Sequence, residues 1–164
     1  IPVVHLSALA LFAKVILEKG LNKDATIVSP DMGGVRRIKI LSEMLDNMPF
    51  AIIEKNRDLA TGTVSAGKIQ GEVKKNVIIV DDMVSSGGTI AMAAAILKKH
   101  GVQNISVFAT HPVFSEEAPK ILQESFVQSV YVTDTIFVPE SKRFPKLTIL
   151  SVGKIIAEEI KLSF

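Results

Sequence analysis

The chain has 164 residues, of which 48% are hydrophobic and only 5% are aromatic, so we expect an aliphatic core and a single domain over residues 1–164. Its formal charge of +2, without basic runs interleaved with aromatic residues, argues against nucleic-acid binding. The absence of cysteine excludes disulfides and thiolate metal sites and is compatible with the cytoplasm, and no apolar run reaches the roughly 20 residues that a membrane-spanning helix requires.

The first half of the sequence alternates between helical and strand-like spacing of its apolar residues. This spacing predicts, in order, a helix at residues 6–19, a strand at 26–29, a helix at 33–47 and a strand at 50–55. Gly20 follows the first helix at the position where a glycine commonly ends one. Residues 57–67 have weak periodicity and contain two glycines, so we expect a mobile loop there.

The second half repeats the order of a strand followed by a helix. The spacing predicts strands at residues 76–82, 106–110, 129–133 and 147–152, and helices at 88–100, 115–124 and 153–162. This order predicts an α/β fold, a mostly parallel sheet flanked by helices on both faces. Ligands of such sheets bind at the carboxyl ends of the strands, where loops lead into helices.

The segment VIIVDDMVSSGGTI, residues 77–90, carries the clearest chemical signal. Asp81 and Asp82 follow an apolar strand, and a turn rich in hydroxyls and glycine leads into the next helix. The amides and hydroxyls of this turn form a cradle for a phosphate; the turn consists of Ser85, Ser86, Gly87, Gly88 and Thr89. Because a carboxylate repels phosphate, we expect the two acids to bind sugar hydroxyls, directly or through Mg²⁺.

The same segment has an ordinary structural interpretation. A Ser/Gly-rich turn often caps a helix, and aspartates often end strands, so a Gly-Gly-Thr turn alone does not decide between the two readings. The two acids directly before the turn, and the four apolar residues before them, favour a phosphosugar site because the motif then has its required context.

At these residues the chain resembles the phosphoribosyl diphosphate loop of the type I phosphoribosyltransferase fold. SPDMGGVRRIKIL, residues 29–41, is similar to the S-P-D-x-G-G-x-x-R segment of ribose-phosphate diphosphokinases. EKNR, residues 54–57, resembles the start of that family's flexible catalytic loop, and ATHPVFSEEA and VTDTI are similar to its later segments. The similarity extends over essentially the whole chain in the family's order.

The resemblance implies an enzyme that transfers diphosphate from ATP to the 1-hydroxyl of ribose 5-phosphate, giving phosphoribosyl diphosphate, with Mg²⁺ as cofactor. It implies that Asp81 and Asp82 bind the ribose hydroxyls and their magnesium, and that Asp31 is a magnesium ligand. The implied residues for the 5-phosphate are Ser85, Ser86, Gly87, Gly88 and Thr89. Lys55 and Arg57 are implied as the catalytic basic pair. Phosphoryl transfer depends on such charge neutralisation and positioning.

The chain departs from the family's pattern at two places. Many members have Asp-Thr where this chain has Ser85-Ser86, so a hydroxyl remains but any role of the missing acid is in doubt. The family's loop often carries two adjacent arginines, whereas here Asn56 takes the middle position, and we assign it no catalytic task.

Several of these residues also have plain structural interpretations. Lys55 and Arg57 would otherwise form a solvated strand end, and Asp31 before two glycines is a good helix-start residue. Arg36 and Arg37 can reach a phosphate but are more often surface or interface charges. For His111 a structural hydrogen bond is the first choice.

Complete members of the family resemble two copies of this fold in tandem, and IPVVHLS resembles the entry to the second copy. We therefore expect the second of two domains in a cytoplasmic homo-oligomer whose other half holds ATP. The alternative functions are a regulatory module that binds phosphoribosyl diphosphate without catalysis, and a phosphoribosyltransferase acting on a nucleobase, which shares the loop but not the SPDMGG and EKNR segments.

Overall fold

A computed structural model of the chain describes the backbone of residues 3–57, 64–115 and 117–163, and the side chains of residues 3–54, 68–115 and 117–162. Its helices are α1 (Leu9–Glu18), α2 (Val35–Met44), α3 (Gly88–Lys99), α4 (Ala118–Glu124) and α5 (Gly153–Ser163), with 3-10 turns at Met32–Gly34 and Glu140–Lys142. In the part of the chain described here, no helix is both long and apolar enough to cross a bilayer.

The strands form one seven-stranded sheet in the order β3-β2-β1-β4-β5-β6-β7. They are β1 (Ala25–Ser29), β2 (Phe50–Arg57), β3 (Val64–Gln70), β4 (Asn76–Val84), β5 (Asn104–Pro112), β6 (Ser129–Thr133) and β7 (Leu147–Leu150). Every neighbouring pair is parallel except β2 with β3. The predicted α/β fold with a mostly parallel sheet is confirmed.

The sequence-based prediction of a loop at residues 57–67 was wrong for its second part. Val64 begins strand β3, which pairs antiparallel with β2 at the edge of the sheet, and the register shifts between Glu54 and Asn56. An edge strand needs only backbone pairing on one side, so it can form without the apolar run that marks a strand buried on both faces. Residues 58–63 lie outside the described part of the chain.

Strand β4 shows why the sheet lies between two helical layers. Val77 and Ile79 belong to one core cluster, which includes residues of α3 and α4. Ile78 and Val80 belong to the other, which includes residues of α1 and α2. Successive side chains of a strand point to opposite faces, so the continuous apolar run fills both cores. Truncating a fully buried residue such as Ile79 to alanine would cost about 2–5 kcal/mol.

The segment after β1 differs from the single predicted helix at 33–47. Asp31 accepts a hydrogen bond from the amide of Gly33 at 2.9 Å and so caps a 3-10 turn, after which α2 begins at Val35. The helix ends at Met44 because Asp46 and Asn47 have φ values of 55° and 57°, in the left-handed region. This crossover starts at the carboxyl end of β1, which pairs in parallel with β4, so its first residues lie near the carboxyl end of β4.

Candidate functional site

The acid pair lies near the carboxyl end of β4. The side chain of Asp81 is 16% exposed and that of Asp82 is 55% exposed. The amide of Asp82 donates to Oδ1 of Asp81 at 2.8 Å, and the amide of Met83 donates to Oδ1 of Asp82 at 2.9 Å. These local bonds hold each carboxylate against its own backbone, so the two acids enter the site in defined orientations.

The turn after β4 is held by the neighbouring strand and helix. The amides of Phe114 and Ser115 donate to the carbonyls of Val84 and Ser85 at 2.9 and 3.0 Å. Gly87 has a φ of +77°, and a Cβ built there would lie 3.2 Å from Cγ of Leu122. Only glycine adopts this backbone without strain, so the turn requires Gly87 for its shape.

Helix α3 begins directly after this turn, at Gly88. The first amides of a helix have no carbonyl partners within the helix and carry a partial positive charge. Ser86 Oγ accepts from the amide of Gly88 at a long 3.4 Å. A Cβ built at Gly88 would meet only Ser86 Oγ, at 3.5 Å, so the absence of a side chain here opens the backbone without being required by the fold.

One cavity of about 230 Å³ collects most of the residues that the sequence singled out. Its walls consist of Asp31, Asp81, Asp82, Met83, Val84, Ser85, Ser86, Gly87, Thr89 and Ile90. Gly88 is the one predicted loop residue that does not line it. The cavity is smaller than the roughly 300–1,000 Å³ of sites for drug-sized molecules, which suits a small polar ligand.

Asp31 reaches this cavity from the neighbouring strand. The Ser29 hydroxyl donates to the backbone carbonyl of Asp31 at 2.6 Å, and Oδ1 of Asp31 caps Gly33. Both interpretations of Asp31 therefore have a counterpart, since it caps the 3-10 turn and also lines the cavity together with the acid pair. Among the side chains that the structure describes, no three of the types His, Asp and Glu lie close enough together to hold a metal ion by themselves.

The two acids differ in their ease of ionisation. Burial, with the adjacent Asp82 side chain, raises the pKa of Asp81 from its usual 3.8 to about 6. Burial also disfavours the charge of Asp82, but its hydrogen bond with Asp81 and the charge of Arg37 outweigh that cost and lower its pKa. Near neutral pH both carboxylates are ionised, and below about pH 6 the pair carries a proton on Asp81.

Arg37, which the sequence left between a phosphate contact and a surface or interface charge, lies against the acid pair. Its Nη1 lies 3.4 Å from Oδ1 of Asp81 and its Nη2 lies 3.4 Å from Oδ2 of Asp82. Arg37 is therefore a charge of this site, and its possible roles as a phosphate contact or an interface charge stay predictions. The missing information was the order of the strands: the crossover carrying Arg37 meets the acids only because β1 and β4 are neighbours.

The remaining sequence candidates are separated from this cavity or fall outside the description. Lys55 and Arg57 belong to the backbone of β2, but their side chains lie outside the described residues, so their catalytic role stays a prediction. His111 Nδ1 lies 3.0 Å from Oγ1 of Thr135, in agreement with a structural hydrogen bond.

Comparison with solved structures defines the class of fold. The orotate phosphoribosyltransferase from Aeropyrum pernix is 18% identical with a TM-score of 0.58, covering 93% of this chain and 76% of that chain. The mostly parallel sheet, with the turn at residues 85–89 at its carboxyl edge, thus has the fold of the type I phosphoribosyltransferases. The phosphoribosylpyrophosphate synthetase from Mycobacterium smegmatis is 37% identical with a TM-score of 0.90, covering 99% of this chain and 52% of that chain.

Comparison of sequences defines the family. Residues 43–164 match the phosphoribosyl synthetase-associated domain, and the chain belongs to this family. The ribose-phosphate pyrophosphokinase of Gloeobacter violaceus is 42% identical over 98% of this chain and 48% of its own length. The chloroplastic ribose-phosphate pyrophosphokinase 2 of Oryza sativa is 38% identical over 98% of this chain and 40% of its own length. The predicted family resemblance is confirmed, and the chain spans about half the length of the curated relatives it matches.

Proposed function

We propose that this chain is the ribose-phosphate-binding half of a ribose-phosphate diphosphokinase, which transfers the diphosphoryl group of ATP to the 1-hydroxyl of ribose 5-phosphate. The observation that carries the proposal is that one cavity joins the acid pair of β4, Asp31 and the turn at residues 85–89. The names of the relatives, which are ribose-phosphate pyrophosphokinases, support the same reaction.

The two parts of the cavity suit the two ends of a phosphorylated sugar. The turn and the first amides of α3 bind the 5-phosphate, because the amide donors and the positive end of the helix dipole at a helix start favour an anion. Asp81 and Asp82 accept hydrogen bonds from the ribose hydroxyls, where a neutral polar group meets a carboxylate without repulsion. Binding at both ends orients the 1-hydroxyl for transfer.

The acids around this cavity also fit Mg²⁺. Magnesium prefers oxygen ligands, keeps several waters, and is commonly held by one or two carboxylates together with substrate phosphates. Asp31, Asp81 and Asp82, which line the cavity, supply such oxygens without forming a complete protein cage by themselves. When bound there with substrate, the ion would neutralise and orient diphosphoryl oxygens.

Lys55 and Arg57 complete the proposed mechanism as the cations that neutralise charge during transfer. The 1-hydroxyl attacks the β-phosphorus in line, the bond between that phosphorus and the bridging oxygen of the α-phosphate breaks, AMP leaves, and the hydroxyl proton is released to solvent; negative charge spreads over several oxygens in the transition state. The other half of the protein supplies the ATP site, so this chain is the second of two domains. We propose a cytoplasmic homo-oligomer, as the family resemblance implies.

Formation of AMP tests the reaction. The intact natural protein containing this sequence is incubated with ATP, Mg²⁺ and ribose 5-phosphate, and AMP is measured. Lys55→Ala should lower turnover by about 10²–10³-fold with little change in ribose 5-phosphate affinity, because its contact is made mainly in the transition state. Lys14→Ala, which removes a surface ion pair with Glu18, is the control and should leave turnover unchanged.

A regulatory module that binds phosphoribosyl diphosphate without catalysis is the second candidate. It is favoured by one observation, that Ser85 stands where many members of the family have an acid. Ribose 5-phosphate binding by the folded, intact protein without AMP formation would reject the diphosphokinase and support the module.

A further inference from the structure

The guanidinium of Arg37 contacts the carboxylates of both Asp81 and Asp82. Its two terminal nitrogens contact different carboxylates, Nη1 that of Asp81 and Nη2 that of Asp82, each at 3.4 Å. A planar guanidinium with nitrogens at a fixed spacing restricts the relative orientation of the two groups that it contacts. The single side chain therefore links the acids as a pair.

The guanidinium approaches the acids from outside the cavity. Asp31, Asp81 and Asp82 line the cavity, whereas Arg37 does not, although its side chain is only 22% exposed. Arg37 comes from the first turn of α2, on the crossover that follows β1. It can therefore keep its contacts with the acids while a ligand occupies their other side.

The backbone before α2 leaves space for this arrangement. A Cβ built at Gly34 would lie 2.3 Å from Oγ of Ser29 and 3.0 Å from Nη1 of Arg37. Gly34 is fully enclosed rather than an exposed turn residue, so its lack of a side chain is needed for packing. The glycine that opens the helix thus also makes room for the guanidinium.

Two adjacent carboxylates that bind one ligand together need a neighbouring cation. Like charges in a partly desolvated site repel each other and turn apart unless a cation offsets them. A diol, or a cation shared with it, is bound well only when both carboxylates are held at a fixed spacing.

We propose that Arg37 is a positioning residue that holds Asp81 and Asp82 in the orientation that binds the ligand's diol and its divalent cation, without touching the ligand. The inference rests on the proposed function, since it assigns the acid pair to a ribose phosphate. It adds a residue of α2 to a site otherwise formed by the ends of β1 and β4.

Calorimetry on the intact natural protein tests the inference, with ribose 5-phosphate and Mg²⁺ as the ligands. Arg37→Met should weaken ribose 5-phosphate binding by about 10–100-fold, the usual effect of removing a residue that orients a ligand-binding group. Arg36→Met removes the same charge from the next position, which is exposed, and should leave the affinity unchanged.

Inorganic phosphate separates positioning from general damage to the site. Phosphate alone uses the turn at residues 85–89 and not the acids, so Arg37→Met should bind it as wild type does. Arg37→Lys keeps the positive charge but lacks two nitrogens at a fixed spacing. Its ribose 5-phosphate affinity should therefore be as weak as that of Arg37→Met. In an Asp81→Asn, Asp82→Asn background the loss of Arg37 should add little, because its effect passes through the acids.

The outcomes distinguish the two proposals. A wild-type protein that does not bind ribose 5-phosphate would overturn the proposed function together with this inference. Normal wild-type binding with equal affinities for Arg37→Met and Arg36→Met would overturn only the inference. An equal loss of phosphate and ribose 5-phosphate binding would also overturn it, since Arg37 would then support the whole site. If Arg37→Met does not fold, Arg37→Lys replaces it in the test. A wild-type affinity of Arg37→Lys for ribose 5-phosphate would then overturn the positioning role of the guanidinium.

Discussion

The two ends of β4 carry cavities of nearly equal size but different chemistry. The cavity at the carboxyl end has about 230 Å³ and the one at the amino end about 210 Å³. The amino-end cavity is lined by Gly20, Leu21, Lys23, Asn76, Val77, Ile78, Asn104 and Ser106. Its side chains are neutral apart from Lys23, whereas three carboxylates face the carboxyl-end cavity.

Polar groups at the amino end are satisfied by one another. Asn104 Nδ2 donates to Oδ1 of Asn76 at 2.9 Å, and Asn76 Nδ2 donates to the carbonyl of Lys23 at 2.8 Å. At the carboxyl end the polar groups include two adjacent charges and the start of a helix. Because parallel strands place all helix starts at the same edge, charge and amide donors collect there and not at the other edge. Cavity size is therefore a poor guide to function here, and chemical content is the better one.

Substitution at the two ends of β4 gives the largest expected contrast. Asp82→Ala should weaken ribose 5-phosphate binding by about 100-fold through the loss of hydrogen bonds to a charged group, while leaving the protein folded. Asn76→Ala should leave binding unchanged but lower the free energy of unfolding by about 1 kcal/mol, because it breaks the amide pair. Calorimetry measures the binding affinity and urea unfolding measures the stability. Similar effects of the two substitutions on binding would contradict the expected difference between the two ends of β4.

A smaller effect should separate the two glycines of the turn. Gly88→Val should weaken ribose 5-phosphate binding by about tenfold, the value of one lost hydrogen bond to a charged group, with little change in stability. Gly87→Ala should instead lower the free energy of unfolding by about 1–2 kcal/mol, because its φ of +77° is strained for any other residue.

Gly101→Ala provides the control for backbone strain alone. Its φ is +85°, and a Cβ built there meets nothing within 4 Å. It should lower stability in urea without changing binding. Weaker binding by Gly101→Ala would mean that backbone strain outside the turn also affects the site, so a binding loss in Gly87→Ala could not be assigned to the shape of the turn.

A separate effect is a pH dependence of stability. The pKa of Asp81 is raised to about 6, so between about pH 4 and 6 the folded state holds a proton that the unfolded state has released. Stability should therefore fall as pH rises through this window, and Asp81→Asn should remove the decline and be more stable than wild type above pH 6. Thermal unfolding from pH 4 to 8 measures it; phosphate esters titrate near pH 6 themselves, so binding is the poorer probe.

Asp134 supplies the control of opposite sign. Its Oδ1 accepts a hydrogen bond from the amide of Val152 at 2.8 Å, and that bond lowers its pKa. Its contribution to stability is present above the ordinary carboxyl pKa and is lost as pH falls through the lowered one. Asp134→Asn should therefore reduce stability at neutral pH. If both variants shift stability in the same direction, the proposed difference between these carboxyls is wrong.

The local pattern of residues was enough to predict the sheet and most of its strands. The run at 77–80 is apolar at every position, which is expected only for a strand buried on both faces, and β4 fills both cores with it. Strand β3 was missed because its sequence, VSAGKIQ, lies at an edge where backbone pairing with β2 suffices. Its prediction would have required knowledge of the neighbouring strand.

The sequence by itself determined the chemical groups at the end of β4, since Asp81, Asp82 and the turn at residues 85–89 are contiguous and short-range geometry places them together. Only the tertiary structure decided what surrounds them. Arg37 is separated from Asp81 by 44 positions, and their contact exists because β1 and β4 became parallel neighbours. Neighbouring residues are held together by covalent bonds, whereas contacts between distant segments depend on the order in which the sheet packs its strands.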